Sequence, residues 1–376
     1  MDFSLSEEQQ LLKDSLDRFV REAYEFETRR KLIATDEGFS RDNWKQMAEL
    51  GWLAVALPEE FGGIGGGPVE TMLIMEAIGQ GLIVEPYFPT VVLGGNLLLH
   101  GGTEEQKREY LPKLAEGRLM MSFGYAERQS RYDLFDVAFE AKKDGDGYVL
   151  SGHKGVVFNA ATADKIIVSA RTAGGQRDHK GITLFMVDAS ADGLSRRDYP
   201  TVDGLRASEL HFDNVKVGAD AVIGEVDNAL PLIETVADHA IAALTAEGVG
   251  CMSVLVDITN EYLKTRKQFG VPLSKFQVLQ HRMVDCFMET EQARSMAYMV
   301  TLKLEGTTEA ERRKAAAGAK VQIGKGGRFV GQQSVQLHGG MGMTDELSVG
   351  HYFKRLTMIN TIFGDHDYHL KRFSEY

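Results

Sequence analysis

Residues 265–285 read TRKQFGVPLSKFQVLQHRMVD and form the strongest local signal in the chain. A helical pattern runs up to and includes Arg266, Phe269 and Gly270 interrupt it, and a second helical pattern starts near Ser274. An arginine beside the free backbone amides of a helix start suits the negative charges of a pyrophosphate. The segment therefore predicts a phosphate-binding junction, although a surface salt bridge is the plainer interpretation of Arg266.

A second stretch, SVQLHGGMG at residues 334–342, carries a pair of glycines at the end of a helical pattern. Gly339 and Gly340 have no side chain, so the backbone can approach a ligand closely there. Gln336 lies nearby and can reach the same ligand. Taken alone, a Gly-Gly pair more often marks only the end of a helix, so both interpretations stay open at this point.

The spacing of apolar residues changes twice along the chain. Residues 1–118 follow a helical period, which begins with SEEQQLLKDSLDRFVREA at residues 6–23 and a possible capping box. Over residues 119–226, short runs rich in Val and Ile alternate with Gly and Asp clusters, which predicts antiparallel strands. The helical period returns over residues 227–376. We therefore predict three domains in the order helical, β and helical.

The composition excludes several classes of protein. With 54 acidic and 42 basic residues the formal charge is −12, and no Lys/Arg run provides the basic face of a nucleic-acid binder. The N-terminus lacks the pattern of a signal peptide and the apolar stretches are interrupted, so we expect no membrane insertion. Cys251 and Cys286 lack disulfide or metal spacing, which favours a reducing cytoplasm. The histidines have no partners at metal spacing, so we expect no metal site.

The glycine-rich GGIGGG at residues 62–67 superficially suggests a dinucleotide-binding turn. Pro58 precedes it, and no apolar run of strand length leads into it. We therefore expect a loop between helices rather than a phosphate cradle.

The two junction stretches resemble the acyl-CoA dehydrogenase family, and the resemblance extends over essentially the whole chain. RKQFGVPLSKFQ and QLHGGMG match its most specific motifs, DGYVLSGHK its β domain, and ELGWLAVALPEEFGG its first domain. The resemblance implies an α+β fold with an N-terminal α-helical domain, a middle antiparallel β domain and a C-terminal four-helix bundle. It also implies FAD, bound across a subunit boundary. The residues that would then contact the ADP half of FAD are Arg266, Phe269, Gln336, Gly339 and Gly340.

The segments that resemble the flavin-ring half of the site depart from the family pattern. Where the family has a T-E-P-G-x-G-S-D-like turn, this chain has AERQSRYD at residues 126–133, so that Gln129, Arg131 and Tyr132 replace two glycines and a serine. The family's W-I-T or W-I-S segment is replaced by VVF at residues 156–158, which offers neither an indole nor a hydroxyl. We expect the ring half to be altered while the ADP half is retained.

The catalytic base of the family is also missing. The reaction needs a carboxylate that removes the α-proton while the flavin accepts the β-hydride. By the resemblance, the two usual base positions are Gly364 and Ala240 in this chain. Glu247 lies seven residues after Ala240 and projects from almost the same helix face, so one hypothesis makes it a displaced catalytic base. The alternative is a structural glutamate in the helical core or at a subunit interface, and Asp365 is a weaker candidate for the base.

Three accounts of function fit these residues. In the first, the chain is one subunit of a heteromeric acyl-CoA dehydrogenase that shares FAD across the interface, similar to the small subunit of bacterial pimeloyl-CoA dehydrogenase-type enzymes. In the second, it is a homo-oligomeric acyl-CoA dehydrogenase with Glu247 as the base. In the third, it is a redox-inactive homologue that binds an acyl-CoA or a partner. The resemblance implies an acyl-CoA substrate, electron-transfer flavoprotein as a partner, a dimer or tetramer, and a role in fatty acid or lipid degradation.

Overall fold

The computed structural model describes residues 4–376 and arranges them as helices, a sheet and helices again, which confirms the predicted fold class. The helices are α1 (Glu7–Ala23), α2 (Phe26–Ile33), α3 (Arg41–Glu49), α4 (Pro68–Gly81), α5 (Asn96–Gly101), α6 (Glu104–Ala115), α7 (Leu230–Thr265), α8 (Gln277–Leu302), α9 (Glu309–His338), α10 (Ser348–Thr361) and α11 (His366–Glu375). The strands are β1 (Met121–Gly124), β2 (Glu140–Asp144), β3 (Gly147–Phe158), β4 (Lys165–Arg171), β5 (Ile182–Asp188), β6 (Leu194–Pro200), β7 (Arg206–Val217), β8 (Val222–Ile223), β9 (Lys267–Gln268) and β10 (Val271–Pro272). A π-helix, Phe88–Gly95, precedes α5.

The first helix begins where its sequence predicts. The Ser6 hydroxyl accepts a hydrogen bond from the Gln9 backbone at 3.1 Å, and the Gln9 side chain accepts one from the Ser6 backbone at 3.0 Å. This reciprocal capping box satisfies two amide groups that the first helical turn leaves without partners. On the apolar face of α1, Leu16 and Phe19 are buried. The expectation for residues 6–23 is therefore confirmed.

Eight strands form one sheet in the order β6-β7-β3-β2-β4-β5-β8, with β1 paired to β4. Most neighbours are antiparallel, as the alternating pattern predicts, but β1 runs parallel to β4. The hairpin of β2 and β3 separates β1 from β4 along the chain, so the two strands can run in the same direction. The sheet thus extends the antiparallel prediction with two parallel pairs, β1 with β4 and a short contact of β2 with β4.

The chain divides into two compact units that interleave along the sequence. One unit comprises residues 4–31, 68–83 and 241–376, so α4 packs with α1 and α8, and α8, α10 and α11 pack on α9. The other comprises residues 32–67 and 84–240 and contains the eight-stranded sheet. The predicted domain boundaries after residues 118 and 226 stay a prediction.

Within the first unit, α4 and α7 cross with their backbones in contact. A Cβ atom built on Gly79 would lie 2.0 Å from the Glu247 carbonyl oxygen, and one built on Gly250 would lie 2.0 Å from the Glu76 carbonyl oxygen. Any larger residue at either position would separate the two helices. The Cys251 thiol donates to the Gly79 carbonyl at 3.3 Å across the same crossing. This crossing fixes the backbone that carries Glu247.

Two local expectations have a clear outcome. Residues 62–67 are the loop that joins a 3₁₀ turn at Glu59–Phe61 to α4, so the loop interpretation is confirmed. Within residues 4–376, α7 is long and apolar enough to cross a membrane by length and composition. However, 72% of its most apolar 18-residue window is buried inside the protein, as in the core helix of a folded domain.

Candidate functional site

Arg266 lies at the entrance of a small hairpin. Strands β9 and β10 pair antiparallel, and the two residues between them, Phe269 (φ 54°) and Gly270 (φ 82°), both lie in the left-handed region, as in a two-residue hairpin turn. The expectation that Arg266 lies on a helix is wrong, because α7 ends at Thr265 and the chain then turns into the hairpin. The Leu273 amide donates to the Arg266 carbonyl at 2.8 Å and holds the hairpin closed.

The hairpin borders a cavity of about 960 Å³. The end of α7, the start of α8 and the end of α9 supply its other walls. The structure brings Arg266, Gln336, Gly339 and Gly340 together in this cavity. Phe269 is not among its lining residues, since its side chain is 90% exposed at the tip of the hairpin. Four of the five predicted ADP-binding residues therefore share one cavity.

The glycines at the end of α9 leave open space in the cavity. A Cβ atom built on either Gly339 or Gly340 would meet no atom of the chain within 4 Å. Gly339 also has a φ of 62°, which favours glycine, whereas Gly340 has an ordinary φ. A side chain at Gly340 would thus enter the cavity without disturbing the fold, whereas one at Gly339 would also strain the backbone, so both glycines keep room for a ligand.

A stacked aromatic pair supports the same wall. Tyr262 and His338 lie with ring centroids 4.3 Å apart and an interplanar angle of 28°. The Tyr262 hydroxyl donates to the His338 carbonyl at 3.3 Å, and His338 Nδ1 donates to the Ser334 carbonyl at 2.8 Å. Burial lowers the pKa of His338, so its ring is neutral near pH 7. This wall is therefore preorganised by packing and hydrogen bonds.

The cavity contains a second arginine, which was not predicted from the sequence. Arg282 on α8 lines it, and its Nη1 donates to Gln333 Oε1 at 2.6 Å. The available signal was its place within the 265–285 stretch, two helical turns after the predicted start of the second helix near Ser274. No carboxylate is found among the lining residues within the described range 4–376. Two guanidinium groups, several amide side chains and the open glycine space fit the diphosphate, ribose and base of an ADP moiety.

In the unit that contains the sheet, the 126–133 turn is fastened by a buried ion pair. Lys154 Nζ lies 2.6 Å from Glu127 Oε1 and also donates to the Ser169 hydroxyl at 3.1 Å. Burial by itself would raise the pKa of Glu127, but the Lys154 ammonium and the surrounding hydrogen bonds hold it below its usual value. The Glu127 carboxylate also accepts from the Gln129 side chain at 2.9 Å. The altered turn is thus anchored to β3 and β4 through Glu127.

The departures from the family pattern coincide with unusual backbone. Arg131 (φ 48°) and Val156 (φ 51°) both lie in the left-handed region. This conformation is a genuine outlier for a β-branched residue such as Val156 and costs about 1–3 kcal/mol. The Val156 amide donates to Glu209 Oε1 at 3.4 Å, and Glu209 also accepts from the Tyr199 hydroxyl at 2.8 Å. The surrounding strands therefore hold Val156 in a strained position.

The candidate base Glu247 is held in a buried ion pair. Its Oε1 lies 2.6 Å from Arg355 Nε and its Oε2 lies 2.8 Å from Arg355 Nη2, and both side chains are almost fully buried. This bidentate geometry supports the interpretation of Glu247 as a structural glutamate and not as a catalytic base, because both carboxylate oxygens already accept hydrogen bonds. Ala240 is buried and carries no titratable group. A proton-abstracting role for Glu247 would require the ion pair to open.

Gly364, which occupies the usual base position near the C-terminus, lies in a tight turn between α10 and α11. Gly364 has a φ of 109°. The neighbouring candidate, Asp365, caps α11, because its Oδ1 accepts from the Tyr368 amide at 2.8 Å. Asp365 therefore has the geometry of a helix cap. Among residues 4–376, no three His, Cys, Asp or Glu side chains are grouped as a metal site would require.

Family models match three consecutive parts of the chain. Residues 6–118 match the acyl-CoA dehydrogenase N-terminal domain, residues 122–215 the middle domain and residues 230–375 the C-terminal domain. The chain is 32% identical over 357 residues to the probable acyl-CoA dehydrogenase YngJ of Bacillus subtilis, which covers 93% of this chain and 92% of that protein.

Solved structures show the same similarity over the full length. The Tcur3481-Tcur3483 steroid ACAD superposes with a TM-score of 0.89 at 31% identity and covers 99% of this chain and 98% of that one. The ChsE4-ChsE5 complex from Mycobacterium tuberculosis gives a TM-score of 0.89 at 25% identity, covering 100% of this chain and 98% of that one.

Proposed function

This chain belongs to the acyl-CoA dehydrogenase family, and from that premise we propose that it works as one subunit of a heteromeric enzyme. The family membership makes it an FAD-dependent oxidoreductase that acts on acyl-CoA thioesters. In the proposed assembly, this chain holds the ADP half of FAD, and the partner subunit holds the flavin ring and supplies the catalytic base.

The single observation that carries the proposal is an intact ADP-type cavity in a chain that lacks both usual bases. Arg266, Gln336 and Gly340 line the cavity, whereas the base positions hold Gly364 and Ala240. Loss of redox function would leave no reason for the cavity to be retained together with its open glycine space. Two of the structures that match over the full length, Tcur3481-Tcur3483 and ChsE4-ChsE5, each name two components, which further supports a two-component enzyme.

The residues of this chain have defined tasks in the proposed enzyme. When bound, FAD supplies the acceptor for the hydride that leaves the β-carbon of the acyl group. Arg266 and Arg282 would neutralise the diphosphate, and Arg282 is braced for this by its bond to Gln333. Gly340 would let the backbone approach the nucleotide. These contacts bind and orient the cofactor without transferring a proton.

An apolar strip on α8 supports assembly with another subunit. Val284, Phe287 and Met288 are exposed although they are large and apolar, and their spacing puts them on one side of the helix. Contiguous exposed apolar side chains of this kind mark protein–protein contacts. We propose that this strip lies against a second acyl-CoA dehydrogenase subunit, in a dimer or tetramer.

A homo-oligomeric enzyme with Glu247 as base is the second candidate. It is favoured by one observation, the presence of a buried carboxylate on the helix that carries Ala240. It is disfavoured by the bidentate contact of that carboxylate with Arg355. In both candidates we propose electron-transfer flavoprotein as the electron acceptor. We also propose a reducing, cytoplasmic location, since Cys251 and Cys286 are buried and form no disulfide within residues 4–376.

The visible absorbance spectrum of the purified chain tests the proposal. Purified alone, the chain should be colourless or poor in flavin, and co-purification with its partner should give stoichiometric FAD and turnover of an acyl-CoA. Full yellow occupancy and turnover in the chain alone would refute the heteromeric proposal.

Gly340→Val provides a sharper test of the cavity. The added side chain would enter open space, so the melting temperature of the chain should not change. The same side chain would collide with a nucleotide, so the assembled enzyme should release its FAD on gel filtration. Retention of FAD by the Gly340→Val enzyme would exclude this cavity as the ADP site.

A further inference from the structure

The turn between α10 and α11 is closed to any side chain at position 364. Phe363 (φ 57°) and Gly364 (φ 109°) adopt two consecutive positive φ angles. A Cβ atom built on Gly364 would lie 2.6 Å from Tyr368 Cδ1 and 2.7 Å from His369 Nε2. Real Cβ contacts are longer than either distance, so a neighbour would have to move. Two features, the backbone and the packing, therefore exclude a side chain here.

The two neighbours differ in their freedom to move. Tyr368 is only half-buried, and its ring can rotate toward solvent. His369 is fully buried, and its Nε2 donates to the Phe363 carbonyl at 2.8 Å. The carbonyl can only accept, so the proton of the neutral ring must lie on Nε2. His369 is thus the fixed obstacle at position 364.

The same histidine stabilises the conformation that excludes the side chain. Its bond to the Phe363 carbonyl ties the strained turn to the first turns of α11. Its other nitrogen, Nδ1, is buried and has no hydrogen-bond partner in the described structure. Leaving a buried acceptor without a partner costs free energy, so an apolar residue would suit a purely hydrophobic core better. The Nε2 bond and the ring volume are what a histidine provides here.

We propose that His369 acts as a lock on position 364: it keeps the position closed, so that a side chain introduced there lowers the stability of the chain. The lock holds the Phe363–Gly364 turn by one hydrogen bond and fills the space that a side chain at 364 would need. Its catalytic meaning rests on the proposed function, in which the base comes from the partner subunit. The packing of α11 would then disfavour a carboxylate side chain at position 364 of this chain.

A double-mutant cycle on the melting temperature tests the lock. Gly364→Ala is made in the natural chain and in a His369→Ala background, and Gly306→Ala is the matched control. Gly306 has a φ of 67° and no atom within 4 Å of a built Cβ, so its substitution carries the modest backbone cost of the left-handed region and no steric cost. We expect Gly306→Ala to lower the melting temperature by about 2 °C in both backgrounds.

Gly364→Ala should lower the melting temperature by about 5 °C in the natural chain, and by clearly less in the His369→Ala background, where the backbone cost of a φ of 109° remains but the contact with His369 is gone. His369→Gln, which keeps a donor near the position of Nε2, should lower the melting temperature less than His369→Ala does. Equal costs of Gly364→Ala and Gly306→Ala, or a cost of Gly364→Ala that does not depend on residue 369, would overturn the proposal. This cycle needs neither FAD nor a partner, so it can fail independently of the absorbance test of function.

Discussion

Replacing Glu247 by glutamine distinguishes a structural ion pair from a catalytic base. The substitution keeps the size of the side chain but removes the charge that faces Arg355. Glu247 and Arg355 meet at 2.6 Å and 2.8 Å, with side-chain exposures of 4% and 6%. Water therefore cannot replace the lost carboxylate. Removing the carboxylate leaves the buried guanidinium of Arg355 without its bidentate partner.

We expect Glu247→Gln to lower the unfolding free energy by a large amount. Breaking a buried ion pair by removing one partner costs about 3–5 kcal/mol of unfolding free energy. The chain offers a matched control in Glu76, whose Oε1 lies 2.6 Å from Arg294 Nη1 with exposures of 16% and 28%. Partial solvation should limit the loss in Glu76→Gln to about 1 kcal/mol. The difference between the two variants combines the effect of burial with that of the second hydrogen bond, which only the Glu247 pair has.

Urea unfolding followed by circular dichroism measures both variants. We expect Glu247→Gln to lower the midpoint far more than Glu76→Gln, and the paired change Glu247→Met with Arg355→Met to restore most of the loss. Equal losses in the two single variants would refute the reasoning from burial. If Glu247→Gln left stability unchanged but abolished turnover in the FAD-loaded enzyme, Glu247 would instead be the base.

Three further predictions follow from strained or buried groups. Val156→Asn should raise the unfolding free energy by about 1 kcal/mol in a urea titration, because asparagine tolerates the left-handed φ that valine does not; a lower midpoint would contradict this. Burial and the adjacent Arg29 lower the pKa of His351, so the unfolded chain binds a proton first and stability should fall as the pH drops below about 6.5. That dependence should weaken in His351→Gln, and an unchanged pH profile would exclude His351 as its source. Burial raises the pKa of the Cys286 thiol to about 12, so iodoacetamide at pH 8 should label it in urea but not in the native protein.

The sequence was a reliable guide wherever the pattern is local. Residues 147–158, 164–171 and 181–189 show the strand pattern, and β3, β4 and β5 lie within them. The capping residues Ser6 and Gln9 also act locally, so their interaction could be predicted. The parallel pairing of β1 with β4 could not, because it depends on which strands become neighbours after the hairpin has formed.

In the candidate site, too, local motifs predict some residues and tertiary packing decides others. Arg266, Gln336, Gly339 and Gly340 could be identified from two short motifs, because a motif preserves the spacing that a ligand requires. Arg282 lies within the 265–285 stretch, but only the packing of α8 against α9 shows that its side chain reaches the cavity. Even Arg266 was assigned to the wrong element, since the hairpin after α7 is too short to produce a periodic signal.

The sequence by itself determined the family, the order of helices and strands, and the absence of a carboxylate at positions 240 and 364. It did so because helix period, strand alternation and motif spacing are properties of neighbouring residues. Only the tertiary structure decided what Glu247 and Gly364 face. Arg355 lies 108 residues from Glu247 along the chain, and His369 fills the space beside Gly364 only after α11 has packed on α9. Long-range ion pairs and steric exclusion depend on the folded backbone, which no local pattern encodes.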